Sequence, residues 1–163
     1  YQSVNYGLSK IEVQKLAYFL QEAGENLKLQ FVKDAYGPYA DALRHALNAM
    51  DGHYIQGVGD GVVESEIKPV DSALKDARQY LATSNEAINA RIKRVSDLIE
   101  GYQSPYGVEL LSTVHWVVNH QGASNSYDAH QAIQQWNDRK KQLMTLQHVD
   151  AAWNRLQHNG WIQ

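Results

Sequence analysis

The sequence predicts a mostly α (α+β) domain: about six helices, with a small two-stranded β element in the first half. Three observations predict it. Apolar residues recur at three- and four-residue spacing through most of the chain. Helix start and stop signals bracket those stretches. Only the stretch from His53 to Val70 breaks the pattern, with Gly57, Gly59 and Gly61 followed by an alternating run.

The first helix opens at Ser9-Lys10-Ile11-Glu12, an S-x-x-E capping box in which the Ser9 hydroxyl and the Glu12 carboxylate each satisfy a backbone N–H of the first turn. Val13, Leu16, Ala17 and Leu20 then form its core-facing stripe, and Gly24 ends it. Leu27 to Val32 alternates apolar and polar, as a half-buried strand does. Tyr36-Gly37-Pro38-Tyr39 reads as a turn, because Pro38 fixes its own φ and disfavours helix at Gly37. A helix from about Tyr39 to Met50 follows, with Leu43, Leu47 and Met50 on one side. Val63, Ser65 and Ile67 suggest a second strand, placed to pair with the first.

From Asp71 the pattern is helical. Asp71 caps a helix carrying Leu74, Ala77 and Leu81. Ser84 or Asn85 caps the next, with Ile88, Ile92, Val95 and Ile99. Pro105 opens a helix that is apolar around more than half its circumference, which marks it as the central one. Helices around Asp128–Trp136 and Thr145–His158 complete the chain. With no repeat or linker in its 163 residues, it reads as a single domain, 1–163.

Composition excludes several classes. No apolar run is long enough to span a membrane. The absence of cysteine rules out a disulfide framework and a thiolate zinc site, and it fits a reducing cytoplasm. The seven histidines lack metal-ligand spacing: His115 and His120 are five apart on one helix, on different faces. No P-loop, G-x-S-x-G or G-x-G-x-x-G occurs. The residues therefore offer no seat for catalysis, a metal or a cofactor. The first residue, Tyr1, with no leader after it, suggests a piece cut from a longer protein.

Charge and aromatics are more informative. Residues 34–76 hold eight acids and three bases, a balance of −5, while the remainder is +2. Such an excess is either a solvated face or an acidic docking surface. Tyr36 and Tyr39 flank the Gly-Pro turn, where they fit either turn packing or an interface. A partner surface would comprise Tyr36, Tyr39, Asp34, Asp60, Glu64 and Glu66. The overall charge of −3 argues against direct DNA binding. A rival reading remains open: a winged-helix-like nucleic-acid binder, with Gly160-Trp161 after the last helix and Arg139 to Lys141 on phosphate.

Glu12-Val13-Gln14-Lys15-Leu16-Ala17-Tyr18-Phe19-Leu20-Gln21-Glu22-Ala23-Gly24, followed by Leu29 to Val32, Tyr36-Gly37-Pro38-Tyr39 and Gly52-His53-Tyr54-Ile55, resembles the C-terminal domain of the DarG antitoxin family. The helix motif and Tyr-Gly-Pro are also similar to the broader Panacea antitoxin domain. The resemblance is concentrated in residues 9–61. It implies a non-catalytic module that binds and neutralises a cognate toxin, an NAD-dependent DNA ADP-ribosyltransferase, by blocking its DNA site as a DNA mimic. In that family a separate N-terminal macrodomain removes ADP-ribose from DNA, and this chain has no stretch resembling it. The resemblance assigns no individual toxin contacts, so the six residues above rest on charge and aromatic character alone.

Overall fold

The computed structural model describes residues 7–59 and 65–163. Among them are eight helices and two short antiparallel ribbons. The core is built on α5 (Pro105–Gln121), whose Ser104 hydroxyl accepts from the Gly107 N–H and whose residues Gly107 to Val117 are all buried. Helices α1 (Lys10–Glu22), α6 (Ser126–Gln134) and α8 (Leu146–His158) pack directly on it. Helix α4 (Glu86–Ile99) packs on α1. A short helix absent from the sequence reading, α7 (Asp138–Leu143), is capped by Asn137. Among the described residues no helix is long and apolar enough to cross a membrane.

The caps follow the sequence closely. Ser9 and Glu12 form the expected box, at 3.1 and 3.2 Å. Asn85 caps α4 and Thr145 caps α8. Helix α3 (Asp71–Thr83) is the exception. Its N-cap is Val70 with no side-chain bond, and no residue of α3 is buried. Ala77, expected on a core stripe, is exposed, and Leu74 and Leu81 are half-buried.

The buried face of α1 also differs from expectation. Val13, Leu16, Ala17 and Leu20 are only half-buried, while Gln14, Lys15, Tyr18 and Phe19 are buried. The physical reason is that α1 is wedged between α5 and the chain that follows it. Its polar side chains find backbone partners there and so can leave water.

The β structure is displaced from the predicted strands. Lys28 sits at φ +56°, which breaks the pleat, and the Gln21 amide donates to and accepts from the Leu29 backbone at 2.9 Å. Pairing therefore starts later, in β1 (Val32–Asp34) against β2 (Gly37–Tyr39), with Val32 opposite Tyr39 and Asp34 opposite Gly37. The predicted turn is half strand: Ala35 and Tyr36 make the turn, and Gly37-Pro38-Tyr39 is β2. Helix α2 (Asp41–Met50) follows. The second ribbon pairs β3 (Ile55–Gln56) with β4 (Lys68–Pro69), and Ile67 bridges Leu8. The two strands expected to pair with each other thus belong to separate ribbons. Val63, on the second expected strand, lies outside the described residues.

One histidine ties the core together. Tyr18 Oη lies 2.7 Å from Nδ1 of His115, and the His115 ring packs edge-on against Trp161, with centroids 6.0 Å apart. Burial first, and nearby His120 second, lower the His115 pKa to about 4, so at neutral pH it is an uncharged link between α1, α5 and the C-terminal residues. Trp161 packs edge-on against Phe19, with the Arg94 guanidinium 4.3 Å from its ring centroid.

Candidate functional site

The site is the first ribbon and the helices that hold it. A two-stranded ribbon alone is marginal in water, and here two side chains from α1 and two from the α6–α7 junction grip its backbone and that of Ala40 just past it. From α1, Gln14 bonds both the N–H and the carbonyl of Ala40 at 2.9 Å, and Lys15 Nζ donates to the Pro38 carbonyl at 2.6 Å. From the α6–α7 junction, Trp136 Nε1 donates to the Asp34 carbonyl at 2.9 Å, and Asn137 donates to the Ala35 carbonyl at 3.0 Å. Gly37 has φ +102°, and a Cβ there would press within 3.1 Å of Thr113 Oγ1. Only glycine combines that backbone angle with that approach to α5.

Under the ribbon lies a buried ion cluster. Glu109, on the apolar central helix, accepts two bonds from Arg139, at 2.6 and 3.1 Å, and one from Lys140 Nζ at 2.6 Å. Lys140 also reaches Thr113 Oγ1 at 3.2 Å. The Arg139 guanidinium sits 4.5 Å from the Tyr36 ring centroid, so the cluster supports the turn directly. Burial is the main cause that lowers the Lys140 pKa. Burial, reinforced by the positive charge of Lys140, lowers that of Lys15 to about 8. Lys33 and Lys140 both lie over Trp136, at 4.6 and 5.1 Å.

Beside the ribbon is a cavity of about 130 Å³, with Ile11, Leu47, Val58, Tyr36 and Tyr39 among its walls. The structure thus brings together three of the six residues singled out from sequence: Asp34, Tyr36 and Tyr39 all border this cavity. Tyr36 is 44% exposed and Tyr39 half-buried. Glu66 lies on the approach to β4, with its N–H on the Gly57 carbonyl and its carboxylate 3.7 Å from Lys68. Asp60 and Glu64 lie outside the described residues.

Among the described acids of the 34–76 stretch, only Asp34 lines the cavity with the tyrosines. Asp41 pairs with Arg44 and His45, and Asp34 Oδ1 accepts from the Ala35 N–H in its own turn. The basic run Arg139 to Lys141 is largely consumed internally, since Arg139 and Lys140 serve Glu109 and only Lys141 is exposed. Trp161, the residue of the supposed wing, is inside the core. Sequence reasoning missed Gln14, Lys15, Glu109 and Trp136. The signal was there for Glu109: a lone acid inside an otherwise apolar helix needs a cation beside it. Among the described residues no group of three or more His, Cys, Asp or Glu is placed to hold a metal ion.

Fold and site together define an α+β helical domain that presents a braced hairpin edge. Its kinship is specific. Over all of its 163 residues the chain is 46% identical to a Thermus aquaticus protein named DNA ADP-ribosyl glycohydrolase, covering 45% of that protein. Proteins of the same name from Mycobacterium tuberculosis and Mycobacterium bovis are 38% identical over 156 residues, which is 92% of the chain and 44% of theirs. These matches support a DarG-like family. The chain spans less than half the length of these relatives. No family model matches it.

Proposed function

We propose that this chain is the toxin-binding domain of a DarG-like bacterial antitoxin, working in the cytoplasm. It binds a cognate DNA ADP-ribosyltransferase and neutralises it by occupying the DNA site, and the glycohydrolase chemistry belongs to a part of the protein outside this chain. The observation that carries the reading is the braced hairpin. Two side chains from α1, two from the α6–α7 junction and a buried ion cluster hold one short edge, with Asp34, Tyr36 and Tyr39 at its surface. Rigid aromatic groups on a pre-ordered backbone lose little entropy on binding, which suits a protein interface. The acids of the 34–76 stretch, Asp60, Glu64 and Glu66 included, supply the phosphate-like charge in this reading. The test is co-purification with the toxin encoded beside the parent gene, followed by its modification of DNA with and without the chain. A stable complex with lost modification is expected. Failure to bind the toxin, with saturable binding of naked DNA at moderate salt, would overturn the proposal.

A further inference from the structure

Arg139 is the second cation on a carboxylate that needs only one. Glu109 is 1% exposed, and the fully buried Lys140 already donates to it at 2.6 Å. Arg139 adds two bonds through its Nη atoms, at 2.6 and 3.1 Å, although its side chain is 39% exposed. A guanidinium has five N–H donors and two edges on which a carboxylate can sit with paired bonds. Glu109 fills the end edge, between the two Nη atoms. The side edge remains, where Nε–H and one Nη–H point the same way. Among the described residues nothing accepts from Nε, and Glu109, shared with Lys140, is the only carboxylate within ion-pair distance of Arg139. Arg139 therefore keeps spare donors and charge that is only partly matched.

The way it is held separates this arginine from an ordinary surface one. The Tyr36 ring centroid lies 4.5 Å from its central carbon, against the face of the fork and not its edge. Its pKa is raised, first by the bonds to Glu109 and then by Tyr36 and Tyr106 beside it. A fork fixed in this way has already lost its rotamer freedom, so a binding partner need not order it. Tyr36 is 44% exposed, so a rigid guanidinium and an open aromatic ring reach the surface together. Arginine and tyrosine on a fixed support are the groups that dominate protein interfaces.

We propose that the side edge of Arg139, backed by the Tyr36 ring, is a docking site for a single carboxylate of the partner protein. The proposal rests on the reading of the chain as a toxin-binding domain and adds one chemistry that the partner must present. A nucleic-acid phosphate also suits a guanidinium, but a strand brings many phosphates. Asp34, in the same turn as Tyr36, and the overall charge of −3 repel such a polyanion. One carboxylate on a partner whose other charges are positive meets no such penalty. A lone contact of inverted sign beside an acidic stretch fixes the register in which the two proteins meet.

The first arm of the test uses the full chain alone, with sodium acetate as the probe and sodium chloride of equal ionic strength as the reference. Acetate should shift the Arg139 Nε–H resonance saturably and leave that of exposed Arg78 in place. No acetate-specific shift, or equal shifts at both arginines, overturns the proposal. A short DNA strand that moves Arg139 Nε–H more strongly than acetate does also overturns it. The second arm uses the toxin. Arg139→Lys keeps a cation for Glu109 but removes Nε–H and the flat face over Tyr36. Its melting temperature should stay near the parent's while toxin affinity falls roughly tenfold. Lys141→Gln, at an exposed neighbour, should bind as the parent does; an equal loss there overturns the site in favour of diffuse charge. Among Asp→Asn and Glu→Gln variants of the toxin, one should lose as much and add nothing further when combined with Arg139→Lys. A folded Arg139→Lys chain with parental affinity, or the lack of any such coupled carboxylate, overturns the site and leaves the toxin reading intact. Acetate capture at Arg139 by a parent chain that fails to bind toxin supports the site and overturns the toxin reading.

Discussion

The two ribbons are of similar size and differ in what holds them. The first, Val32 to Tyr39, is gripped at Asp34, Ala35 and Pro38, and at Ala40 just past its end, by side chains from α1 and the α6–α7 junction, and it rests on the Glu109 cluster. The second is held by backbone pairing: Ile55 with Pro69, Leu8 with Ile67, and the Glu66 N–H on the Gly57 carbonyl. Its apolar support is a small cluster of Leu47, Val58 and Ile67, separate from the main core. A Cβ on Gly57 would collide with the Glu66 carbonyl, so that contact depends on glycine. Neither ribbon carries enough strand to stand alone. The difference teaches that a ribbon of this length is ordered by whatever lies beside it: side chains distant in sequence for the first, backbone pairing and a small apolar cluster for the second.

The strongest way to break this comparison is Glu109→Gln. It strips the carboxylate from Arg139 and from buried Lys140, and should cost about 3–5 kcal/mol in urea unfolding. A loss under about 1 kcal/mol would mean that the cluster does not support the first ribbon. Acid is the next largest lever. The His115 pKa is lowered to about 4 in the fold, against 6.5 ordinarily, so between those values the unfolded chain binds more protons. Its contribution to stability is complete above pH 6.5 and is lost as the pH falls toward 4, about 3 kcal/mol in all. Unfolding curves across that window should show the loss, and His115→Gln should flatten it.

Gln14→Ala acts on the first ribbon alone. It leaves the buried Ala40 N–H without its partner, at about 1–3 kcal/mol, while the carbonyl keeps the Leu43 and Arg44 N–H groups. Hydrogen exchange at Ala40 should accelerate while exchange at Glu66 and Ile67 stays unchanged; equal acceleration in both ribbons would dissolve the distinction. Tyr39→Ala separates surface from support. Its toxin affinity should fall roughly tenfold with a smaller change in melting temperature, and lost stability with unaltered affinity would make Tyr39 a packing residue. Glu66→Gln is the smallest. Its 3.7 Å contact with Lys68 is exposed, so stability should move by no more than about 0.5 kcal/mol.

The sequence was most legible where local chemistry decides. Capping at Ser9 and Asn85 follows from groups within a few residues of one another. The apolar circumference of Pro105–Gln121 identified the central helix, and the Tyr-Gly-Pro-Tyr run led to three residues of the candidate site. It was least legible where polar residues turn inward. Patterning sends Gln14, Lys15 and Lys140 to water, but each is buried because a partner distant in sequence waits for it: Ala40, Pro38 and Glu109. The strands failed for a related reason. Segments of two or three residues are too short to show alternation, and the first ribbon is held in place by Gln14, Lys15, Trp136 and Asn137 from elsewhere in the chain.

The clasp from Trp136 to Asp34 joins residues 102 apart. Ribosomes add about 5–20 residues each second, so the tyrosine-bearing loop exists for roughly 5–20 s before its clasp has been made. During that interval the nascent chain carries Tyr36 and Tyr39 without the geometry that the clasp gives them. A truncated product ending before Trp136 should remain in that state. Completion of the edge thus reports that translation has passed through Asn137, and a prematurely terminated copy should not compete with the finished one for the same partner.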